Sequence, residues 1–223
     1  MIVSIARLFL RSLAASLIFT GCVSIEKSYP DKHYFVLDIA LEASTQNPAE
    51  SGTLQIASAR VSPRYAERNF VYRRSDTRFE SDFYNQFLIS PGALVAEELR
   101  QELSRSGIFK FVVGSANAVA PTHTLETIVN TLYGDFRDLR APKAVIEMEF
   151  FLTQEGSPSG IVFHKLYHRT VPFSGRNPEA LVQGWNRALE AILASLVSDL
   201  KASPVPLEQR SSQIQDRSPA QAN

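Results

Sequence analysis

The alternation of apolar and polar residues changes its period several times between His33 and Leu200. His33 to Ala40 and Leu54 to Val61 are short runs rich in β-branched or aromatic side chains. Asn69 to Arg74 follows the turn-prone Ser62-Pro63-Arg64, so three strands are predicted in this region. Residues 79–89 carry Phe79, Phe83, Tyr84, Phe87 and Leu88 at spacings that fit neither the strand nor the helix period, which leaves a further strand and an irregular loop both open. Ser90-Pro91 then supplies a capping hydroxyl and a first-turn proline, and Gly107 supplies a stop. Between them Leu94, Val95, Leu99 and Leu103 fall on one side, the stripe of a helix that covers a sheet.

A short strand is predicted at Ile108 to Val113, followed by three longer ones at Thr122 to Tyr133, Lys143 to Gln154 and Ile161 to Phe173. Ala144, Ile146, Met148, Phe150 and Leu152 alternate with Val145, Glu147, Glu149, Phe151 and Thr153, the mark of one buried and one mainly polar face. Glu155 to Gly160, rich in Gly, Ser and Pro, reads as the turn of a hairpin. Asn177-Pro178-Glu179 combines cap, proline and first-turn acid at the start of a second helix. Leu181, Trp185, Leu189, Ile192, Leu193, Leu196 and Leu200 continue it at helical spacing, with Trp185 as its core anchor. These faces are all satisfied by an α+β fold: a single domain over residues 33–202, built as a mostly antiparallel mixed sheet with two helices packed on one face.

The ends have a different composition. Arg7 and Arg11 precede the apolar run Leu13 to Phe19, and Thr20-Gly21-Cys22 closes it with small residues, the layout of a secretory signal over residues 1–21. A spanning helix needs about 20 predominantly apolar residues, and Arg11 interrupts the segment too early for that. Cys22 is the single cysteine, so no intramolecular disulfide can form. Residues 22–32 read as a tether. Residues 203–223, with Pro204, Pro206 and Pro219 among Ser, Gln and charges, hold too few apolar groups to offset the entropy of ordering, which predicts a disordered tail.

Charge and chemistry narrow the function. Lys+Arg and Asp+Glu are both 23, so no overall basic field favours nucleic acid. His164 and His168 share a strand face but stand about 13 Å apart along it, too far to bind one metal ion. Glu147 and Glu149 fit the solvated side of their strand, Ser174-Gly175 lacks a nucleophile-elbow setting, and His33 and His123 stand singly. No catalytic residue, metal site or cofactor is expected, and the chain is read as a non-enzyme.

Phe19-Thr20-Gly21-Cys22 resembles the lipobox of bacterial lipoproteins, with Phe19 where Leu is usual. The resemblance implies acylation of the Cys22 sulfur, and two or three acyl chains at about 0.8 kcal/mol per buried CH₂ make a stable anchor. Val23 follows where the familiar inner-membrane retention signal has Asp, which favours the periplasmic face of the outer membrane. Val61-Ser62-Pro63-Arg64-Tyr65 with Arg68, then Phe70-Val71-Tyr72-Arg73, Phe87, and a helix ending at Gly107-Ile108-Phe109 resemble the auxiliary lipoproteins of MCE-type ABC transport systems. That family commonly has Trp where Phe87 stands and Leu where Ala66 stands. The resemblance implies a component of lipid transport between the inner and outer membranes, with an MCE-domain protein and an ABC permease/ATPase complex as partners, and it leaves room for a homo-oligomer. A docking subunit would use an exposed aromatic and basic edge near Tyr65, Arg68 and Arg73. The same arginines could instead solvate an edge strand, and a lipid carrier would need an apolar cavity between sheet and helices. An outer-membrane assembly lipoprotein of the lipopolysaccharide-insertion kind is the remaining alternative.

Overall fold

A computed structural model describes residues 31–39, 52–116, 119–156 and 160–203. The expectations for the signal segment, Cys22, most of the tether, Ala40 and the tail from residue 204 lie outside the described residues. In chain order the elements are β1 (His33–Phe35), β2 (Thr53–Ile56), β3 (Arg60–Val61), β4 (Asn69–Arg73), β5 (Phe79–Phe87), α1 (Pro91–Arg105), β6 (Phe111–Gly114), β7 (His123–Asp135), β8 (Lys143–Gln154), β9 (Ile161–Pro172) and α2 (Pro178–Ala202).

Strand β7 is the spine of the sheet. One of its edges pairs antiparallel with β8, which pairs antiparallel with β9. Its other edge takes β2, β3 and β4 in succession, all parallel to it. Beyond these lie β6, parallel to β2, and β5, antiparallel to β4, with β1 parallel to β5 at the margin. The fold is therefore α+β as expected, with a more mixed sheet: the long pairings are antiparallel and the short ones mostly parallel. The run Leu54 to Val61 divides into β2 and β3, and residues 79–89 resolve into β5.

The expected strand at His33 to Ala40 ends at Phe35, for a clear reason. Leu37 and Ile39 are buried, but the backbone beyond Phe35 bonds to helix side chains instead of a neighbouring strand. Asp38 N–H donates to Asn186 Oδ1 of α2 at 3.2 Å, and Ile39 N–H donates to Glu98 Oε2 of α1 at 3.4 Å. Burial raises the Glu98 carboxyl above its ordinary pKa, against the bond from Ile39 that lowers it.

Both helices begin as their caps dictate. Ser90 Oγ accepts from Ala93 N–H and Asn177 Oδ1 from Ala180 N–H, each ahead of a first-turn proline. Helix α1 covers β2, β3 and β6, and α2 covers β8 and β9. The N-terminal half of α2 comes unusually close to the sheet. A Cβ on Gly184 would stand 2.8 Å from the Ala144 Cβ, and one on Gly134 would stand 2.9 Å from Leu181 Cδ2.

At this contact Trp185 is wholly buried, edge-on to Phe70 at 4.9 Å and 5.4 Å from Phe87, with its Nε1–H donating to Tyr133 O at 3.3 Å. Truncating it leaves a cavity between Phe70 and Phe87 that only a shift of those rings could fill. Trp185→Ala should destabilise the domain by about 3–5 kcal/mol. Urea unfolding checks this: a lower midpoint is expected, and an unchanged one would show that the indole does not anchor the core.

Candidate functional site

The family-like run Val61 to Arg73 lies across the middle of the sheet and not at an edge, because β4 has neighbours on both sides. Ser62 N–H donates to Val129 O, and Tyr65 N–H donates back to Ser62 O, so the Pro63-Arg64 turn is fastened to β7. The Tyr65 ring is only 5% exposed and stacks on Tyr133 at 6.0 Å, with Phe79 edge-on to the same ring at 5.7 Å. Tyr133 alternates along β7 with Gly134, which faces α2, so its ring points away from that helix, where it is buried with Tyr65 beneath the partly exposed Phe79. Burial, with the neighbouring Tyr133, raises the Tyr65 hydroxyl pKa.

Arg73 is half-buried and turned inward to its own hairpin. Its Nε donates to Ser75 O, its Nη2 donates to Asp76, and its guanidinium lies over Phe79. Arg74 similarly donates to Glu80 and lies over Tyr72 and Phe136. Of the three residues expected on an exposed docking edge, Tyr65 is thus buried and Arg73 is half-buried and bonded within its own hairpin. Arg68 is exposed, with Nη1 donating to Leu88 O at 3.0 Å and its guanidinium 5.8 Å from the Tyr34 ring.

Arg68 borders a feature that the sequence pattern did not resolve. In the β4–β5 ladder Asn69 pairs with Gln86 and Phe70 with Asp82, so residues 83–85 have no counterpart in β4 and bulge out. Asp82 clasps the bulge: Oδ1 accepts from the N–H groups of Tyr84 and Asn85, and Oδ2 from Asn85 Nδ2 and Tyr72 Oη, each at 2.7 to 3.1 Å. Burial pushes this carboxyl up, but the bonds from Asn85, Tyr72 and the backbone outweigh it and hold its pKa below the usual range. Burial and the Asp82 charge raise the Tyr72 hydroxyl pKa. The bulge turns Phe83 and Tyr84 outward, edge to face at 5.5 Å, and Tyr34 on the paired strand β1 and Leu88 and Ile89 just after β5 are exposed as well. Lys32 Nζ sits 3.8 Å from the Phe83 ring centroid.

On the opposite half of the sheet, His164 and His168 share a face of β9 as the spacing implied. Each meets an acid of β8 instead of the other histidine: His164 Nε2 is 2.7 Å from Glu149, and His168 Nδ1 is 3.3 Å from Glu147. His164 also stacks on Phe151. Among the described residues no three metal-ligating side chains converge.

No protein-family model matches the chain, and no curated protein matches it in sequence. Among solved structures, the chain is similar to protein XCC0632 from Xanthomonas campestris, a DUF330 protein, with TM-score 0.65 and 15% identity over 74% of this chain and 92% of that one. It is also similar to an uncharacterised protein with TM-score 0.62 and 18% identity, covering 76% of this chain and 99% of that one. At these identities the likeness concerns the fold alone.

His123, which the sequence leaves as an isolated strand-edge residue, is only 2% exposed. It stands at the start of β7 against Phe109, with Nδ1 2.9 Å from Thr122 Oγ1 and Nε2 unpartnered. Burial lowers its pKa, so the ring stays neutral in the fold. The unfolded chain takes up this proton near pH 6.5, and the folded chain only at lower pH. Stability carried by the neutral ring is therefore present above about pH 6.5 and declines as pH falls towards the lowered folded value. Replacing the ring by an apolar one, His123→Phe, should flatten the change in urea midpoint between pH 7 and pH 5. An unaltered slope would mean that His123 titrates freely.

Proposed function

We propose that this chain is a lipoprotein held through acylated Cys22 on the periplasmic face of the outer membrane. In this reading it is the non-enzymatic auxiliary component of an MCE-type ABC transport system, which moves lipid between the two membranes. The observation that carries the reading is the order of motifs along the chain: Thr20-Gly21-Cys22 after an apolar run, then the Val61 to Arg73 pattern, Phe87, and the helix ending at Gly107-Ile108-Phe109. That pattern has a physical meaning in the fold. Ser62-Pro63-Arg64-Tyr65 fastens a turn to β7, Phe70 and Phe87 pack on Trp185, and Phe109 is buried against His123. Residues that build joints in this way are the ones a family shares when it shares a fold.

A docking role is favoured over a lipid carrier because the apolar interior between helices and sheet is filled, and the groove between α2 and β9 is lined by Lys165, His168, Arg169, Ser195 and Asp199 as well as apolar residues. Trp185, Phe70, Phe87, Phe150, Met148 and Leu99 are all buried in that interior to 2% exposure or less. The partners proposed are an MCE-domain protein and its permease and ATPase, bound without turnover by this chain.

Two measurements test the reading. Cys22→Ser should abolish incorporation of labelled fatty acid and leave an uncleaved precursor, and continued labelling would end the lipoprotein assignment. The lipidated protein, tagged and purified from native membranes, should bring the MCE-domain protein and its permease with it. Their absence under gentle detergent extraction would remove the transport assignment and leave the anchor intact.

A further inference from the structure

The bulge in β5 exposes large rings that the chain otherwise keeps inside. Phe83 is 59% exposed, Leu88 51% and Tyr34 50%, and they stand together at the margin of the sheet where β1 pairs with β5. Isolated exposed apolar residues are ordinary, but several gathered on one margin and held in place mark a contact surface. This set is held. The four bonds to Asp82 fix the backbone that carries Phe83 and Tyr84, Gln86 Nε2 donates to Phe83 O, and Arg68 is tied to Leu88 O.

We infer that the bulged segment Phe83–Tyr84, with Tyr34, Leu88 and the flanking Lys32 and Arg68, is a membrane-interfacial surface that seats the domain on the lipid headgroups around its own anchor. The inference rests on the reading of Cys22 as the lipidated residue. Lys32, whose Nζ lies against the Phe83 ring, is ten residues beyond Cys22 in the chain. A fully extended chain spans at most about 3.3–3.6 Å per residue, so the tether reaches no more than about 36 Å. A linker that short holds the patch near the bilayer at an effective concentration of order millimolar, and a weak affinity is then enough for contact.

The chemistry fits that occupant. Aromatic rings are enriched at the headgroup level, where a ring can sit at the apolar boundary. Two cations stand among these rings, Lys32 Nζ on the face of Phe83 and the Arg68 guanidinium near Tyr34, where anionic headgroups would meet positive charge. Because multiple acyl chains already provide the anchoring, the patch adds orientation. It would turn the β1 margin towards the membrane and leave β9, at the opposite margin of the sheet, directed to the periplasm.

The full-length lipidated protein in vesicles of phosphatidylethanolamine and phosphatidylglycerol tests this, using lipids brominated near the headgroup. The native Trp185 is the only tryptophan and is fully buried, so it gives an unquenched background. Phe83→Trp and, as a control on β9, Leu166→Trp each introduce one indole at an exposed position, 59% and 49% in solvent. Bromolipid should quench most of the emission added by Phe83→Trp and little of that added by Leu166→Trp. Equal quenching of both, or of neither, in protein that floats with the vesicles would overturn the surface and leave the anchor standing. Shielding of the Phe83→Trp indole from aqueous iodide without bromolipid quenching would mean that a second copy of the chain covers the patch, and would overturn it as well. Failure of the unmodified protein to float would overturn the anchor and this inference together.

Discussion

The spacing between α2 and the sheet is set by residues too small to hold the layers further apart, and much of the molecule follows from that contact. Gly184 faces Ala144 where a methyl group could not fit without movement, and Gly134 lies under Leu181. The close approach brings the Trp185 indole within reach of the Tyr133 carbonyl and seats it between Phe70 and Phe87. One side chain thereby couples α2 to β7, β4 and β5. Phe70 in turn packs on Phe35 at 5.1 Å, so even the short marginal strand β1 is positioned through the same cluster. An interior packed this closely transmits a change of a single methylene, and the polar and exposed features at the β1 margin depend on it.

What could be read from the sequence is what local pattern determines. Alternation in β8 separates buried Ile146, Met148 and Phe150 from Glu147 and Glu149, and the capping residues before α1 and α2 give both helix starts. The parallel pairing of β2, β3 and β4 along one edge of β7 has no local signature, since strands of two to five residues carry too few side chains to name their neighbour. Leu37 and Ile39 show where alternation is correct and the conclusion drawn from it is not. They are buried as a strand pattern implies, but Asn186 and Glu98 take the backbone bonds that a neighbouring strand would have taken. The mixed spacing of residues 79–89 has a similarly physical source. Three residues without counterparts shift the face of everything on one side of them, so a period-two reading fails on a segment that is nonetheless a strand.

The candidate site was legible only in part, because an aromatic residue beside an arginine has the same composition on a surface and in a joint. Tyr65 and Arg73 belong to joints, one stacked on Tyr133 and the other closing the turn at Ser75 and Asp76. Arg68, three residues from Tyr65, is the most exposed of the three and stands beside the bulge. The family-like pattern is thus mainly a description of how this sheet is assembled.

The bulge itself joins the core to the surface. Phe87 is buried against Trp185 while Phe83, four residues earlier on the same strand, is turned to solvent, and the interruption at residues 83–85 is what separates the two environments. Bringing a carboxylate into the partly buried position of Asp82 is costly unless its oxygens are satisfied. Here two backbone and two side-chain donors satisfy them, which is why the carboxyl pKa is held down despite burial. A depressed carboxyl contributes stability above its unfolded value of about 3.9 and loses it only as pH falls through the lower folded value. Across the neutral range the clasp is charged and closed. The outward rings are therefore a fixed part of the fold, supported by a polar network whose product is the exposed geometry of Phe83 and Tyr84.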